Sequence, residues 1–346
     1  MTVLVVGDTW FGHGGNDEIC VDETYWENLF GEPCDEIILI ANFEGTLGRG
    51  RARPNRSVIL DADETLLKVL IPFKVIIFSL ANNHVTDRGL DGLIETKQRL
   101  EKLGFLTIGS GKTIKEARRP ISLNLKGSTI AILSYCDTRK FVGGIPATAT
   151  TPGVAPIDPL LIIQDIRRAK NEFEKVWLLL HWGYEYYRYP VPEMRHWARQ
   201  WAEAGASLII GTHPHNLGGV EQIGETHIFY SLGNFIFPAP MMQQGFPLYF
   251  DYISRQSMAI SINENNFKFH IQYYLLGHDG WPRRASTPED IQLKKNLSYL
   301  SAPLGQDYWK LYQRISFKDR IIKNIRRVKC MTWGERIHRI SRFGKL

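Results

Sequence analysis

The chain has 346 residues, 44% of them hydrophobic and 23% charged, a balance that excludes a collagen-like or intrinsically disordered polymer. The formal charge of +6 is unevenly spread: residues 310–346 hold 12 Lys/Arg against two acids, and residues 1–309 net −4. No uninterrupted apolar run approaches the roughly 18 residues that span a bilayer, which excludes a helical membrane-spanning protein.

Taken in order, Val3-Leu4-Val5-Val6-Gly7-Asp8 reads as the first strand, ending on Asp8. It follows Met1 with no basic leader, the pattern expected of a cytoplasmic protein. Glu36 to Ala41 reads as the second strand and runs into Asn42-Phe43-Glu44-Gly45. Lys74 to Leu80 reads as the third and runs into Ala81-Asn82-Asn83-His84. A helix is predicted from Gly89 to Leu103, with Leu90, Leu93, Ile94 and Leu100 on its apolar face and Asp87 as its N-cap. Leu106–Ile108 and Thr129–Tyr135 add strands, the second leading into Cys136, read as a lone buried thiol. The four cysteines show no C-x-x-C spacing, which argues against disulfides and a structural zinc site.

Residues 142–159 are rich in Gly, Pro and Thr and read as a lid or a connection. A helix from Leu160 to Phe173 precedes the strand Val176–Leu180, which ends in His181-Trp182-Gly183. A second helix, Pro192 to Ala204, stops at Gly205 and delivers the strand Ala206–Ile210. That strand leads into Gly211-Thr212-His213-Pro214-His215, two imidazoles on a tight turn around a proline. Ile228–Leu232 precedes Gly233-Asn234-Phe235, and alternating patterns at 258–262 and 267–273 complete the sheet. Short apolar strands alternating with helices predict an α/β fold with a buried sheet.

Asp8, Glu44, Asn83, His84, His181, His213 and His215 each fall close to the carboxyl end of a strand, where α/β sheets bind ligands. Brought together and unpaired, that much buried polarity is costly. A dinuclear cation site resolves the cost, and carboxylate, imidazole and amide donors suit Mn²⁺, Fe²⁺ or Zn²⁺.

Gly7-Asp8, Asn42-Phe43-Glu44, Ala81-Asn82-Asn83-His84, His181-Trp182-Gly183, Gly211-Thr212-His213-Pro214-His215 and Ser231-Leu232-Gly233-Asn234-Phe235 follow one another in a family's order. Over residues 3–240 the chain resembles the CapA-type poly-gamma-glutamate capsule synthesis proteins, a branch of the calcineurin-like metallophosphoesterases. The resemblance implies a four-layer α/β/β/α sandwich and a bacterial capsule or exopolymer context. It also implies two divalent ions. Asp8 and His215 would serve the first, Asn83, His181 and His213 the second, with Glu44 bridging and His84 as the catalytic acid. Asp8-Thr9-Trp10 departs from the wider Asp-x-His pattern, so one imidazole of the first ion is replaced by Trp10, and Glu44 stands where Asp is commoner.

Glu185, Arg188 and Asn234 are weaker candidates for substrate binding, and Arg139 and Lys140 face either an anionic substrate or solvent. The expected substrate is an anionic small molecule or polymer. Three readings follow: two-metal hydrolysis of a phosphoester, non-catalytic binding of an anionic polymer, and two-metal hydrolysis of an amide. The domain is expected to cover residues 1–280, with 281–346 a basic, helical C-terminal extension. Its stretch Ile321–Lys329 places basic residues beside an apolar stripe, which suits either an anionic membrane surface at the inner face or packing on the domain. No nucleic-acid-binding module is present in the sequence.

Overall fold

The computed structural model describes residues 1–13, 21–54, 58–140, 142–238, 241–243, 246–248, 250–265, 267–305, 308–310 and 312–313. The chain first lays down four parallel strands, β1 (Thr2–Thr9), β2 (Ile37–Phe43), β3 (Val75–Ser79) and β4 (Leu106–Ile108). It then crosses to a second sheet: β5 (Ile121–Leu125), β6 (Ser128–Cys136), β7 (Lys175–His181), β8 (Leu208–Thr212), β9 (Val220–Ile223) and β10 (Thr226–Phe229). It returns to the first sheet through β11 (Asn234–Ile236), β12 (Gln256–Asn263), β13 (Phe269–Leu276) and β14 (Pro282–Arg284). The first sheet runs β14-β13-β12-β1-β2-β3-β4, with β11 also on β1, and the second runs β9-β10-β8-β7-β6-β5.

Among the described residues the longer helices flank the sheets: α1 (Glu23–Phe30), α2 (Gly89–Lys102), α3 (Pro159–Lys170), α4 (Pro192–Ala204) and α5 (Thr287–Ser301). Side chains alternate along each strand, so successive residues enter different layers. On the outer face of the first sheet, Leu4, Val6, Leu39 and Phe78 pack with Trp26 and Phe30 of α1 and Leu93 and Leu100 of α2. Their neighbours Val3, Val5, Ile38, Ile40 and Ile77 pack against Ile130, Ile132, Leu179, Leu208 and Ile210 of the second sheet. The outer face of that sheet carries Leu133, Leu178, Leu180 and Ile209 against Ile162 and Ile166 of α3 and Ala198 and Trp201 of α4. This is the four-layer α/β/β/α sandwich implied by the resemblance, and burial on both faces explains why the strands read as continuous apolar runs.

Two sheets, rather than the single sheet read from the residues, supply the polar strand ends. Asp8 lies near the end of β1, Glu44 and Asn83 follow β2 and β3, His181 ends β7 and His213 follows β8. The loop at 142–159 is a fastened connection and not a free lid. Ala155 N donates to Gly109 O and Cys136 N to Ala155 O, and Gly153–Val154 pairs with Ser110–Gly111. Helix α1 carries a capping signal, Asp22 Oδ1 accepting from Tyr25 N at 2.8 Å, with Gly31 as its left-handed C-cap. Beyond position 280, β14 joins the first sheet, and α5 sends Leu293, Leu297 and Leu300 into the core between the sheets. The basic stretch Ile321–Lys329 lies outside the described residues.

Gly7 shows how the backbone positions the site. A Cβ there would lie 1.9 Å from Gly233 O, the oxygen that accepts from Asp8 N at 3.0 Å. Gly7→Ala is therefore expected to destabilise the fold at the upper end of about 1–3 kcal/mol, since the obstruction is backbone and cannot rotate away. The midpoint of thermal unfolding measures this. An unchanged midpoint would mean that β1 does not need the close approach to place Asp8.

Candidate metal centre

Asp8, Glu44, Asn83, His181, His213 and His215 are all buried and meet at one end of the sandwich. Ligand atoms of Asp8, Glu44 and His181 lie within 4.8 Å of one another, and so do those of Glu44, His213 and His215. Glu44, just past β2, is common to both groups: its Oε1 is 3.6 Å from His181 Nε2 and 3.8 Å from His215 Nε2. Asp8 Oδ2 lies 3.7 Å from His215 Nδ1 and accepts from His213 N at 3.0 Å. Asn83 Oδ1 is 2.9 Å from His181 Nε2.

The turn after β8 aims both of its imidazoles inward at a conformational cost. His213 has φ +95° and His215 φ +54°, left-handed values that non-glycine residues seldom adopt. The His213 ring sits 4.6 Å from the ring of His181 and 6.1 Å from that of His215. His213 and His215 thus share a group with Glu44 while one leans on His181 and the other on Asp8.

The chemistry of this donor set fits a divalent cation. Burial pushes the Asp8 carboxyl above its ordinary range, opposed by His215 and by hydrogen bonds from His213 N, Asn42 and Thr212. Among the described residues the ion-pair partners of Asp8 are the imidazoles of His181 and His215, which carry charge only when protonated. A divalent cation would add positive charge beside both carboxylates, and the absence of thiolate among these donors matches Mn²⁺, Fe²⁺ or Zn²⁺. Trp10 does not face the cluster. Its indole packs with Leu60, Phe237 and Leu276, and Nε1 donates to Asp61 O at 3.0 Å.

Two residues behind the ligand candidates escaped the strand-end reading. Asn42 Nδ2 donates to Asp8 Oδ1 at 2.7 Å and lies 3.3 Å from His181 Nδ1, bridging the two sheets. Asn82 donates to Asn42 Oδ1 and Phe43 O, and its own Oδ1 accepts from His84 N and Val85 N. A buried asparagine at a strand end was the available signal for each. Such partners orient metal ligands and fix their tautomers. Asn234, a weak substrate-binding candidate, instead lies behind His215, its Oδ1 2.8 Å from Nδ1 and its Nδ2 donating to Ser254 O at 2.9 Å.

Asp87 is not the helix cap expected from its position. Arg88 occupies the N-cap of α2 and makes no side-chain cap bond. The Asp87 carboxylate Oδ2 accepts from Leu60 N at 2.9 Å and lies 2.7 Å from His84 Nδ1. The physical reason is competition: a fully buried carboxylate gains more from an imidazole and a buried N–H than from a solvated helix end. His84, 8% exposed, is thereby held by an acid three residues along the same turn.

Glu185 and Arg188 are half-buried on the loop after β7, and Arg188 lines a small cleft with Gly183, Tyr187, Met194 and Pro214. Arg139 is engaged by Asp137 and Glu193 and lies 4.9 Å over the ring of Trp197, an anchoring role, while Lys140 is exposed. A separate cavity of about 440 Å³, lined by residues such as Lys97, Thr107, Lys115 and Arg119, includes none of the metal-edge residues.

Comparison with known proteins agrees with this reading of the motifs. The family model described as bacterial capsule synthesis protein PGA_cap matches residues 2–239. The chain is 36% identical over 199 residues to the PGA biosynthesis protein CapA of Bacillus subtilis, covering 57% of this chain and 52% of that protein. It is 32% identical over 189 residues to the capsule biosynthesis protein CapA of Bacillus anthracis, covering 54% of this chain and 46% of that one. The chain therefore spans about half the length of the curated relatives it matches. Among solved structures, that of a phosphatase from Mycoplasma pneumoniae aligns with 86% of this chain and 98% of its own, at 13% identity and a TM-score of 0.49.

Proposed function

Because the chain belongs to the bacterial capsule synthesis protein PGA_cap family, we propose that it is a metal-dependent phosphoester hydrolase whose substrate is an anion of capsule or exopolymer metabolism. One observation carries the hydrolase reading: two buried carboxylates and three imidazoles converge at one end of the sandwich, with Glu44 common to both candidate ligand groups. The exopolymer context rests on the relatives, named for PGA and capsule biosynthesis.

In this reading Asp8, Glu44, Asn83, His181, His213 and His215 hold two divalent ions. When bound, such ions polarise phosphoryl oxygens and lower the pKa of a coordinated water. The rest of the work falls to the chain. Asn42 holds Asp8 against the site, and Asn234 holds His215 by Nδ1 so that Nε2 faces Glu44. Asp87 engages Nδ1 of His84, which orients the ring so that Nε2 is the nitrogen that would pass a proton to the leaving oxygen. Among the described residues no helix is long and apolar enough to cross a membrane.

The test is a screen of phosphomonoesters, phosphodiesters and γ-glutamyl amides with and without Mn²⁺, with the His84→Ala variant beside the wild type. Metal-dependent turnover of an ester, lost in the variant, is the expected result. Turnover of amides alone would move the site to amide hydrolysis. Metal uptake without turnover of any substrate would replace catalysis by binding of an anionic polymer.

A further inference from the structure

The metal edge is walled on one side by aromatic rings. The ring of Tyr186 stands 6.1 Å from that of His215, and the ring of Phe250 stands 6.2 Å from it. Phe237 meets His215 edge-on at 5.8 Å and packs against Phe250 at 5.3 Å. These rings are not equivalent. Phe237 is buried in the apolar cluster that also holds Trp10, whereas Tyr186 and Phe250 are half-buried, so part of each borders solvent beside a ligand candidate.

The backbone at Tyr186 adds an independent sign that this wall is placed for a purpose. Tyr186 has φ +63°, a left-handed conformation that glycine or asparagine adopts far more readily than tyrosine. It is held there by its own N–H, which donates to Pro214 O at 2.7 Å, at the centre of the turn that carries His213 and His215. A tyrosine retained in a disfavoured conformation, fastened to the metal-ligand turn and set against His215, points to the ring rather than to the local fold.

Aromatic faces of this kind give little to an anionic group and bind flat, weakly polar rings by stacking. We propose that Tyr186 and Phe250 form a ring-binding subsite: the phosphoester substrate carries a flat ring, seated against these two residues while its phosphoryl group meets the metal edge. The inference rests on the hydrolase reading above and names the substrate class, a ring-bearing phosphoester. A nucleoside and a simple aryl group share the required chemistry.

The experiment measures kcat/KM of the Mn²⁺-loaded full chain for a nucleoside 5′-monophosphate, phenyl phosphate and n-butyl phosphate, in the wild type and in Tyr186→Ala, Phe250→Ala and Tyr186→Phe. Each alanine variant is expected to lower the ratio of ring-ester to butyl-ester kcat/KM about tenfold, chiefly through KM, the size expected for loss of one stacking partner. Tyr186→Phe is expected to keep the wild-type ratio. A loss confined to the nucleotide would identify a nucleobase, and a loss shared with phenyl phosphate a general ring site. Equal loss on all three esters, or an unchanged ratio, would overturn the subsite and leave hydrolysis standing. No turnover of any ester by the wild type would overturn the hydrolase reading itself, and the subsite with it.

Discussion

Glu44→Gln is expected to cost the centre its metal more completely than any other single change. The side chain is fully buried, and its Oε1 faces both His181 and His215 at 3.6 and 3.8 Å. A neutral amide of the same shape removes the charge common to both ligand groups without opening a cavity. Loss of a hydrogen-bond partner behind a metal ligand already costs about 10–100-fold in affinity, so loss of the shared ligand should exceed that. The substitution should act in the opposite sense on the metal-free fold. A buried carboxylate without a cation is destabilising, and neutralising it removes a desolvation cost. Metal-free Glu44→Gln should therefore melt at or above metal-free wild type, yet gain little on addition of Mn²⁺, whereas the wild type gains as ligand binding to the native state requires. Thermal melts of both proteins with and without Mn²⁺ check this. An equal metal-induced rise in the two would remove Glu44 from the site.

His84→Ala is expected to do the reverse, leaving metal content unchanged and lowering kcat by about 10²–10⁴-fold, the usual yield of a positioned proton donor. The two effects separate because Nδ1 of His84 is engaged by Asp87 at 2.7 Å and His84 belongs to neither candidate ligand group. Asp87→Asn should fall between wild type and His84→Ala in kcat, again with the metal retained, because the imidazole remains but loses the carboxylate that orients it. Metal analysis of the same samples used for kinetics distinguishes the cases. Loss of metal in His84→Ala would mean that the imidazole is a ligand and not an acid.

Much of this arrangement was legible in the sequence, for a physical reason. Apolar runs buried on both faces announce their strands, and a charged or amide residue directly after such a run stands out. Asp8, Glu44, Asn83, His181, His213 and His215 were all visible in that way, and the structure brings them together. The number of sheets was not visible from the residues, because a strand buried between a helix layer and another sheet has the same apolar pattern whichever sheet it joins. Only the resemblance implied two. Asp87 sat at a position that local rules assign to a helix cap, and tertiary contacts with His84 and Leu60 overrode them. Asn42 was masked as the continuation of a strand, although it joins Asp8 to His181 across the two sheets. The helix Thr287–Ser301 carries its own capping box at Ser286 and Glu289, yet its place in the core between the sheets depends on Leu293, Leu297 and Leu300 finding partners far away in the chain.

The most direct test of the account is the metal content of the purified chain after removal of bound ions and reconstitution with excess Mn²⁺, Fe²⁺ or Zn²⁺, measured by elemental analysis after desalting. Two divalent ions per wild-type chain, with uptake lost in Glu44→Gln and retained in His84→Ala, is the predicted result. A wild-type chain that stays metal-free after reconstitution with all three ions would contradict it.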